Sequence, residues 1–313
     1  MRAATIREQE IVLEEHPDPV PGSGEVLVRV RAAGLNGGDI MQRRGLYPPP
    51  PGWPADIPGM ELAGEVAELG PDAGRFSQGE RVMAIVGSGG HAELCAVHER
   101  QLMAVPAALD WPPAGGLPEV FTTAHDALYA QADLRPGERL LVHGGAGGVG
   151  TAAIQLARAS GAKVTASVRS EELRADVAAL GASVVDPQEF AEHGPFDVIL
   201  ELVGAPNMEG NLAALATGGR ISVIGVSGGV KAEVNLLALM GKRARVHGST
   251  LRPRSFEEKA LCARRLEHEV LPLFESGELQ VPVADTFALA DAAAAYERFE
   301  AGAKFGKVVL RID

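Results

Sequence analysis

The sequence predicts an α/β protein: a doubly wound parallel sheet joined to a smaller β-barrel-type domain. Three observations predict it. The chain has 313 residues, beyond the roughly 250 at which a single core stops growing. Its first third is rich in Gly and Pro and carries short strand-like runs. From about Glu119 the texture changes to apolar strands alternating with helix-length amphipathic stretches, the signature of a parallel sheet covered on both faces.

Element by element, the N-terminal part offers "EVLVRVRAAGL", "LAGEVAEL", "ERVMAIV" and "HAELCAV". Runs of this length split by turn residues suit a small β domain. The central part reads "RLLVHG", a helix from Val149, "KVTASV", a helix "EELRADVAALG", "SVVD", "FDVILELV", a helix from about Asn207 to Ala216, "GRISVIGV" and "RARVHGS". After Ser255 one long helix, "FEEKALCARRLEHEVLPLFESGEL", is expected, then the helix "ADAAAAYERFEAG" and a final strand "GKVVLRI". A lone last strand needs a host sheet, so the tail is assigned back to the β domain. The expected division is therefore residues 1–118 completed by 256–313, with 119–255 as the doubly wound domain.

Composition narrows the function. Apolar residues make up 46% and charged residues 22%, with a net charge of −12. That excess of acid disfavours nucleic acids and anionic membranes, which are gripped by clustered Lys and Arg. The opening "MRAATIREQEIVLEE" has no apolar leader pattern, and no stretch suits a membrane span, so a cytoplasmic location is expected. Two cysteines, Cys95 and Cys262, form no CxxC or CxxH pair, and structural zinc is not expected.

The segment "HGGAGGVGTAAIQLA" carries the chemistry. Gly145, Gly147 and Gly150 satisfy G-x-G-x-x-G between a strand and a helix, with a second strand starting at Lys163. In that setting the pattern reads as a Rossmann dinucleotide fingerprint. The glycines serve the tight turn, the close approach of a pyrophosphate and the seating of helix on strand. The exposed N–H groups of the helix start, including those at Gly148 and Val149, face the phosphates. At the end of the second strand an acidic residue would read an NAD ribose, but Arg169 and Ser170 stand there, with Arg174 a turn further. Cationic and hydroxyl donors suit a 2′-phosphate, which points to NADP(H), with Glu171 or Glu172 on an NAD ribose as the alternative. Ligands in open parallel sheets lie at strand carboxyl ends, which nominates Leu202, Val203, Ile224, Gly225 and Val226.

The segments "AAGLNGGDIMQRRGLYPPPPG", "PGMELAGEV", "LPEVFTTAHDAL", "HGGAGGVGTAAIQLA", "KRARVHGSTLRPRS" and "FGKVVLRI" occur in this order. Together they resemble the medium-chain dehydrogenase/reductase superfamily, and within it the zinc-independent quinone oxidoreductase group. The resemblance implies a GroES-like β domain, a Rossmann domain, NADP(H) and a homodimer. Zinc-dependent relatives carry Cys and His where this chain has Asn36 and Met60, a poor donor pair for catalytic zinc, so no metal is expected. By resemblance, Tyr47 lies where a flat acceptor binds, offering its ring and its hydroxyl. Asn36 and Thr123 match positions beside the nicotinamide, while Phe305 and Lys307 match positions that close over the cofactor. Tyr47 and Asn36 are the expected catalytic residues, each with a plain reading: Tyr47 packs under the prolines, or Asn36 caps a helix. His125 and Trp53 are secondary candidates for the acceptor pocket, and Arg252 and Arg254 for a phosphate or a surface role. The expected activity is hydride transfer from NADPH to a quinone or other conjugated carbonyl. The alternatives are a 2-alkenal or enone (enoyl-type) reductase, or a cofactor-binding protein with little turnover.

Overall fold

A computed structural model describes all residues, Met1–Asp313. The chain forms two compact units. Unit 1 comprises Met1–Thr122, Leu251–Gly302 and Lys307–Asp313, and unit 2 comprises Thr123–Thr250 and Ala303–Gly306.

In chain order, unit 1 opens with a hairpin of β1 (Arg2–Arg7) and β2 (Glu10–Glu15), continues with β3 (Glu25–Gly34), and turns into helix α1 (Gly37–Arg43). Strands β4 (Glu61–Leu69), β5 (Arg81–Ile85), β6 (Leu94–His98) and β7 (Leu102–Ala104) follow, then helices α2 (Trp111–Gly115) and α3 (Pro118–His125). Strand β3 is the spine because it is almost wholly buried. It pairs with β4 along one edge and shares the other between β6 and the last strand of the chain. Gly64 on β4 permits this curvature, since a side chain there would meet the Arg29 carbonyl oxygen at 2.1 Å.

Unit 2 is the parallel sheet. Its strands are β8 (Arg139–His143), β9 (Lys163–Ser167), β10 (Ser183–Val185), β11 (Phe196–Glu201), β12 (Leu215–Val223) and β13 (Arg245–Gly248), interleaved with α4 (Gly148–Ala159), α5 (Arg174–Ala179), α6 (Met208–Ala214) and α7 (Leu236–Lys242). The order β10-β9-β8-β11-β12-β13, all parallel, is doubly wound and reverses direction between β8 and β11. The loop after β8 therefore sits at the point where such sheets bind ligands. Leu141, Ile199 and Ile221 pack the core under that point, as expected of strands covered on both faces.

The chain then returns to unit 1 with α8 (Phe256–Glu269), α9 (Leu271–Glu275), β14 (Val283–Ala288), α10 (Ala292–Glu300) and β15 (Lys307–Arg311). β15 lies between β14 and β3, so the tail completes the β sheet. No helix is long and apolar enough to cross a membrane.

Several element boundaries differ from the sequence reading. The expected long tail helix breaks at Val270, and a second helix starts at Leu271 with Pro272 in its first turn. Proline has no N–H to donate and its ring crowds the preceding turn, so an uninterrupted helix cannot pass through it. The helix expected to reach Ala216 ends at Ala214, and Leu215 already belongs to β12. Beyond α3 the chain widens into a π turn over Asp126–Gln131.

Candidate functional site

The glycine loop of unit 2 has the shape that a pyrophosphate needs. A side chain on Gly145 would strike the Ala166 side chain of β9 at 2.8 Å, and one on Gly150 would meet the Gly144 carbonyl oxygen at 2.4 Å. Both glycines are required to seat α4 on the sheet. Gly147 is different: a side chain there would meet only the Gly144 oxygen, at 3.5 Å. Its Cα faces open space at the N-cap of α4, where a helix start presents its unpaired charge to an anion. The loop turns through Gly144, whose φ of +66° favours a residue with no Cβ.

A buried polar network supports this loop from below. Glu201, at the end of β11, accepts the backbone N–H groups of Val203 (2.6 Å) and Gly204 (2.7 Å) on Oε1 and the Asn211 amide (2.6 Å) on Oε2. Asn211 Oδ1 then takes a bond from His143 Nε2 at 2.7 Å, and His143 Nδ1 meets Ser167 Oγ at 2.8 Å. Because Asn211 donates to Glu201, its Oδ1 must accept, which fixes the histidine proton on Nε2. Burial holds the His143 pKa below its ordinary value, favouring the neutral ring that this pattern needs. The network locks the carboxyl ends of β8, β9 and β11 together, and with them the turn of Leu202 and Val203.

Of the other cofactor candidates in unit 2, Ile224, Gly225 and Val226 lie just past β12 at the same sheet end. A side chain on Gly225 would collide with the Leu202 oxygen at 2.5 Å. Thr123 is buried near the C-terminal end of α3, and His125 stacks edge-on against Tyr129 at 5.0 Å. Phe305 precedes Gly306, whose N–H bonds the Ala146 oxygen at 2.8 Å and whose backbone bridges Gly147; Phe305 therefore stands beside the glycine loop. Arg169 is exposed just past β9, with Ser170 half-buried next to it. Arg174 is not available as expected. Its guanidinium is held by Asp186 at 2.6 Å and by the Val168 oxygen at 3.2 Å, so Arg169 is the uncommitted cation of the pair.

Unit 1 holds a dense polar cluster. The Lys307 ammonium donates to the Leu35 oxygen (2.8 Å), Asn36 Oδ1 (2.7 Å) and Glu61 Oε1 (2.7 Å). The Asn36 amide donates to Glu61 Oε1 (2.9 Å) and the Gly34 oxygen (3.2 Å). Lys307 was expected over the cofactor, yet three acceptors already saturate its three donors; a strand position inside the sheet and a buried carboxylate draw it inward. Asn36 occupies the N-cap position of α1, but its side chain turns to Lys307 and Glu61 while its backbone N–H goes to Asp39 Oδ2 at 2.8 Å. Behind it, buried His91 links the Tyr296 hydroxyl at 3.0 Å to the Gly34 oxygen at 3.3 Å.

Tyr47 is half-buried, and its hydroxyl bonds no protein group. Its ring lies under the Arg252 guanidinium, 4.9 Å from the centroid. Arg252 is only 2% exposed. It donates to the Gly87 oxygen (2.7 Å), the Tyr47 oxygen (2.8 Å) and Gln42 Oε1, and so pins the Tyr47 loop instead of meeting a phosphate. Trp53 packs against Gly87 and the β core.

The donor set does not suit zinc. Asn36 Oδ1 is taken by an ammonium, Glu61 is paired with the same ammonium, and the Met60 sulfur is packed against Gly38. A cation at that point would face Lys307 at close range, and the remaining thioether and amide are weak ligands.

Sequence reasoning missed one residue. Glu119, in the first turn of α3, donates its backbone N–H to Glu61 Oε2 at 2.8 Å, and its own Oε2 is sealed from solvent with no hydrogen-bond partner. Burial first, then the nearby Glu61 charge, pushes its carboxyl up to about 8. The available signal was a lone carboxylate in the apolar run "GGLPEVF".

Residues 22–132 match the family of alcohol dehydrogenase GroES-like domains, and residues 148–263 match the zinc-binding dehydrogenase family. A rat (Rattus norvegicus) quinone oxidoreductase is 32% identical over 304 residues, covering 93% of this chain and 90% of that protein. Among solved structures, an alcohol dehydrogenase superfamily protein from Novosphingobium aromaticivorans superposes with a TM-score of 0.89 at 32% identity, covering 100% of both chains. A mycobacterial protein complexed with NADPH gives a TM-score of 0.88 at 27% identity, over 99% of this chain and 100% of that one. With a GroES-like unit, a doubly wound dinucleotide unit and this likeness along nearly its whole length, the chain is an oxidoreductase of the medium-chain dehydrogenase/reductase family.

Proposed function

We propose that this protein reduces quinones or other conjugated carbonyls with NADPH, without a metal. The observation that carries the reading is the open Cα of Gly147 at the start of α4, with the exposed cation of Arg169 at the end of β9. The first accommodates a pyrophosphate and the second a 2′-phosphate. The mycobacterial relative solved with NADPH and the quinone oxidoreductase relatives support the same coenzyme and acceptor class.

When bound, the reduced nicotinamide supplies a hydride. The protein's own residues orient and shield. Gly145, Gly147, Gly148 and Val149 receive the pyrophosphate, Arg169 and Ser170 grip the 2′-phosphate, and Leu202, Val203, Ile224, Gly225, Val226, Thr123 and Phe305 wall the coenzyme. Asn36 and Lys307 act by position, fixing Glu61. Tyr47 stacks on the acceptor and donates its free hydroxyl to the carbonyl. A conjugated acceptor needs only such a donor to receive hydride, so no Lewis acid is required. The protein works in the cytoplasm as a homodimer, paired through the exposed edge of β13 and the apolar surface of α7.

The test is coenzyme selectivity. NADPH oxidation with a panel of quinones and enones is expected to exceed NADH oxidation, and Arg169→Ala is expected to raise KM for NADPH about tenfold to a hundredfold, the scale of one charge-assisted bond, with KM for NADH unchanged. Equal loss with both coenzymes would remove Arg169 from 2′-phosphate recognition. Faster turnover of 2-alkenals than of every quinone would move the acceptor assignment to enones.

A further inference from the structure

Hydride transfer to a conjugated carbonyl delivers two electrons and one hydrogen, and the product still lacks one proton. Tyr47 is poorly placed to give it up. Burial, then the neighbouring Glu119 charge, lifts its phenol above the ordinary value, so it donates a hydrogen bond and keeps its proton. Another acid must complete the reaction.

Glu119 has the surroundings of such an acid. Its backbone N–H donates to Glu61 Oε2 at 2.8 Å, so the two acids are neighbours and the Glu61 charge acts on the Glu119 carboxyl. The cations that would neutralise them are unevenly shared. Lys307 lies 2.7 Å from Glu61 Oε1, and the Asn36 amide 2.9 Å from the same atom, whereas no cation pairs with Glu119. Arg252 turns its three nitrogens to Gly87, Tyr47 and Gln42. Glu61 thus holds the ion pair, and Glu119 beside it has no compensation for a negative charge of its own. Glu119 Oε2 is sealed and unbonded, while the residue as a whole is only half-buried. The terminal carboxyl torsion is soft, so rotation exchanges the sealed oxygen with the open one.

We propose that Glu119, held as a neutral carboxylic acid beside the Glu61–Lys307 pair, is the proton donor to the acceptor that Tyr47 binds. The inference rests on the reductase reading. The C–H bond of the dihydronicotinamide breaks as its hydride goes to the acceptor, leaving oxidised coenzyme. The O–H bond of Glu119 breaks as its proton goes to the oxygen of the resulting anion, giving a hydroquinone or, from an enone, an enol that relaxes to the ketone. Glu119 is left as a carboxylate and takes a proton back from water. The groups facing it are Glu61 on β4, Asp39 on α1, Tyr47, Arg252, Lys259 on α8 and Lys307 on β15. The two acids raise its pKa and the cations lower it. With the net effect at about 8, the donor is loaded below that pH and lost above it.

Full-length wild type and Glu119→Gln, which keeps shape but carries no acidic proton, decide the matter. NADPH binding by fluorescence titration is expected to be equal in both, showing that the variant folds. The kcat of Glu119→Gln is expected to fall about a hundredfold or more, and the decline of wild-type kcat as pH rises through about 8 is expected to vanish in it. An infrared difference between the two proteins, without coenzyme or acceptor, is expected to contain a protonated carboxyl band at neutral pH that disappears over the same pH range. Wild-type kcat with an unaltered alkaline decline in Glu119→Gln, or no protonated carboxyl band, would overturn the proposal. Failure of the wild type to oxidise either reduced coenzyme with any acceptor would instead defeat the reductase reading, while the infrared band still reports whether Glu119 holds a proton.

Discussion

In the proposed reaction Tyr47 holds the acceptor and Glu119 supplies the proton, and the two were unequally visible in the sequence. Tyr47 was named through the family resemblance, with packing under the neighbouring prolines as its plain alternative. Glu119 was hidden because a carboxylate in the first turn of a helix is the commonest of charges, and only its proximity to Glu61, 58 residues away in sequence, gives it a different meaning. Lys307 illustrates the reverse error. Its position was legible, but its partners Asn36, at the start of α1, and Glu61, on β4, are distant in the chain, and no local pattern announces them. At this scale Tyr47→Phe is expected to lower kcat/KM for the acceptor about tenfold to a hundredfold, the effect of one oriented hydrogen bond, while NADPH binding stays the same. An unchanged rate in steady-state assays would relegate Tyr47 to packing.

Elements were legible where hydrophobic continuity set them. The strands of unit 2, buried on both faces, announced themselves as apolar runs, and the strand-loop-helix context made the glycine pattern specific. The hairpin of β1 and β2 and the edge strand β14 escaped because β2 and β14 are largely exposed and so lack that continuity. The break at Val270 escaped because amphipathic periodicity runs on past a proline that local sterics forbid. The loop between β8 and α4 separates two roles by position. Gly150→Val, whose Cβ would sit 2.4 Å from the Gly144 oxygen, is expected to destabilise unit 2 by about 1–3 kcal/mol, read as a lowered Tm. Gly147→Ala, with nothing closer than 3.5 Å, is expected to leave Tm alone and weaken NADPH binding about tenfold, or about 1.4 kcal/mol. If both variants melt early and bind normally, the loop is structural only.

At the scale of the whole molecule, the six-stranded sheet ends in β13, a short and exposed edge. Next to it Leu236, Leu237 and Met240 on α7 are 67%, 77% and 71% exposed. Apolar residues this open beside an unpaired strand are costly in a monomer. Light scattering is therefore expected to give a mass near twice 32.7 kDa, and Leu237→Glu is expected to halve it with NADPH binding retained. A monomeric wild type would leave that surface without an occupant.

The return of β15 to unit 1 has one more consequence. The Lys307 ammonium and the Leu35 carbonyl that it meets are 272 residues apart, and all of unit 2 is translated between them. On the ribosome, the first-made sheet waits with an unfilled slot and an unneutralised Glu61, although domains ordinarily fold as they emerge. Unit 2, nearly continuous in the chain, can mature first, so that a protein most of whose first unit is made earliest finishes that unit last.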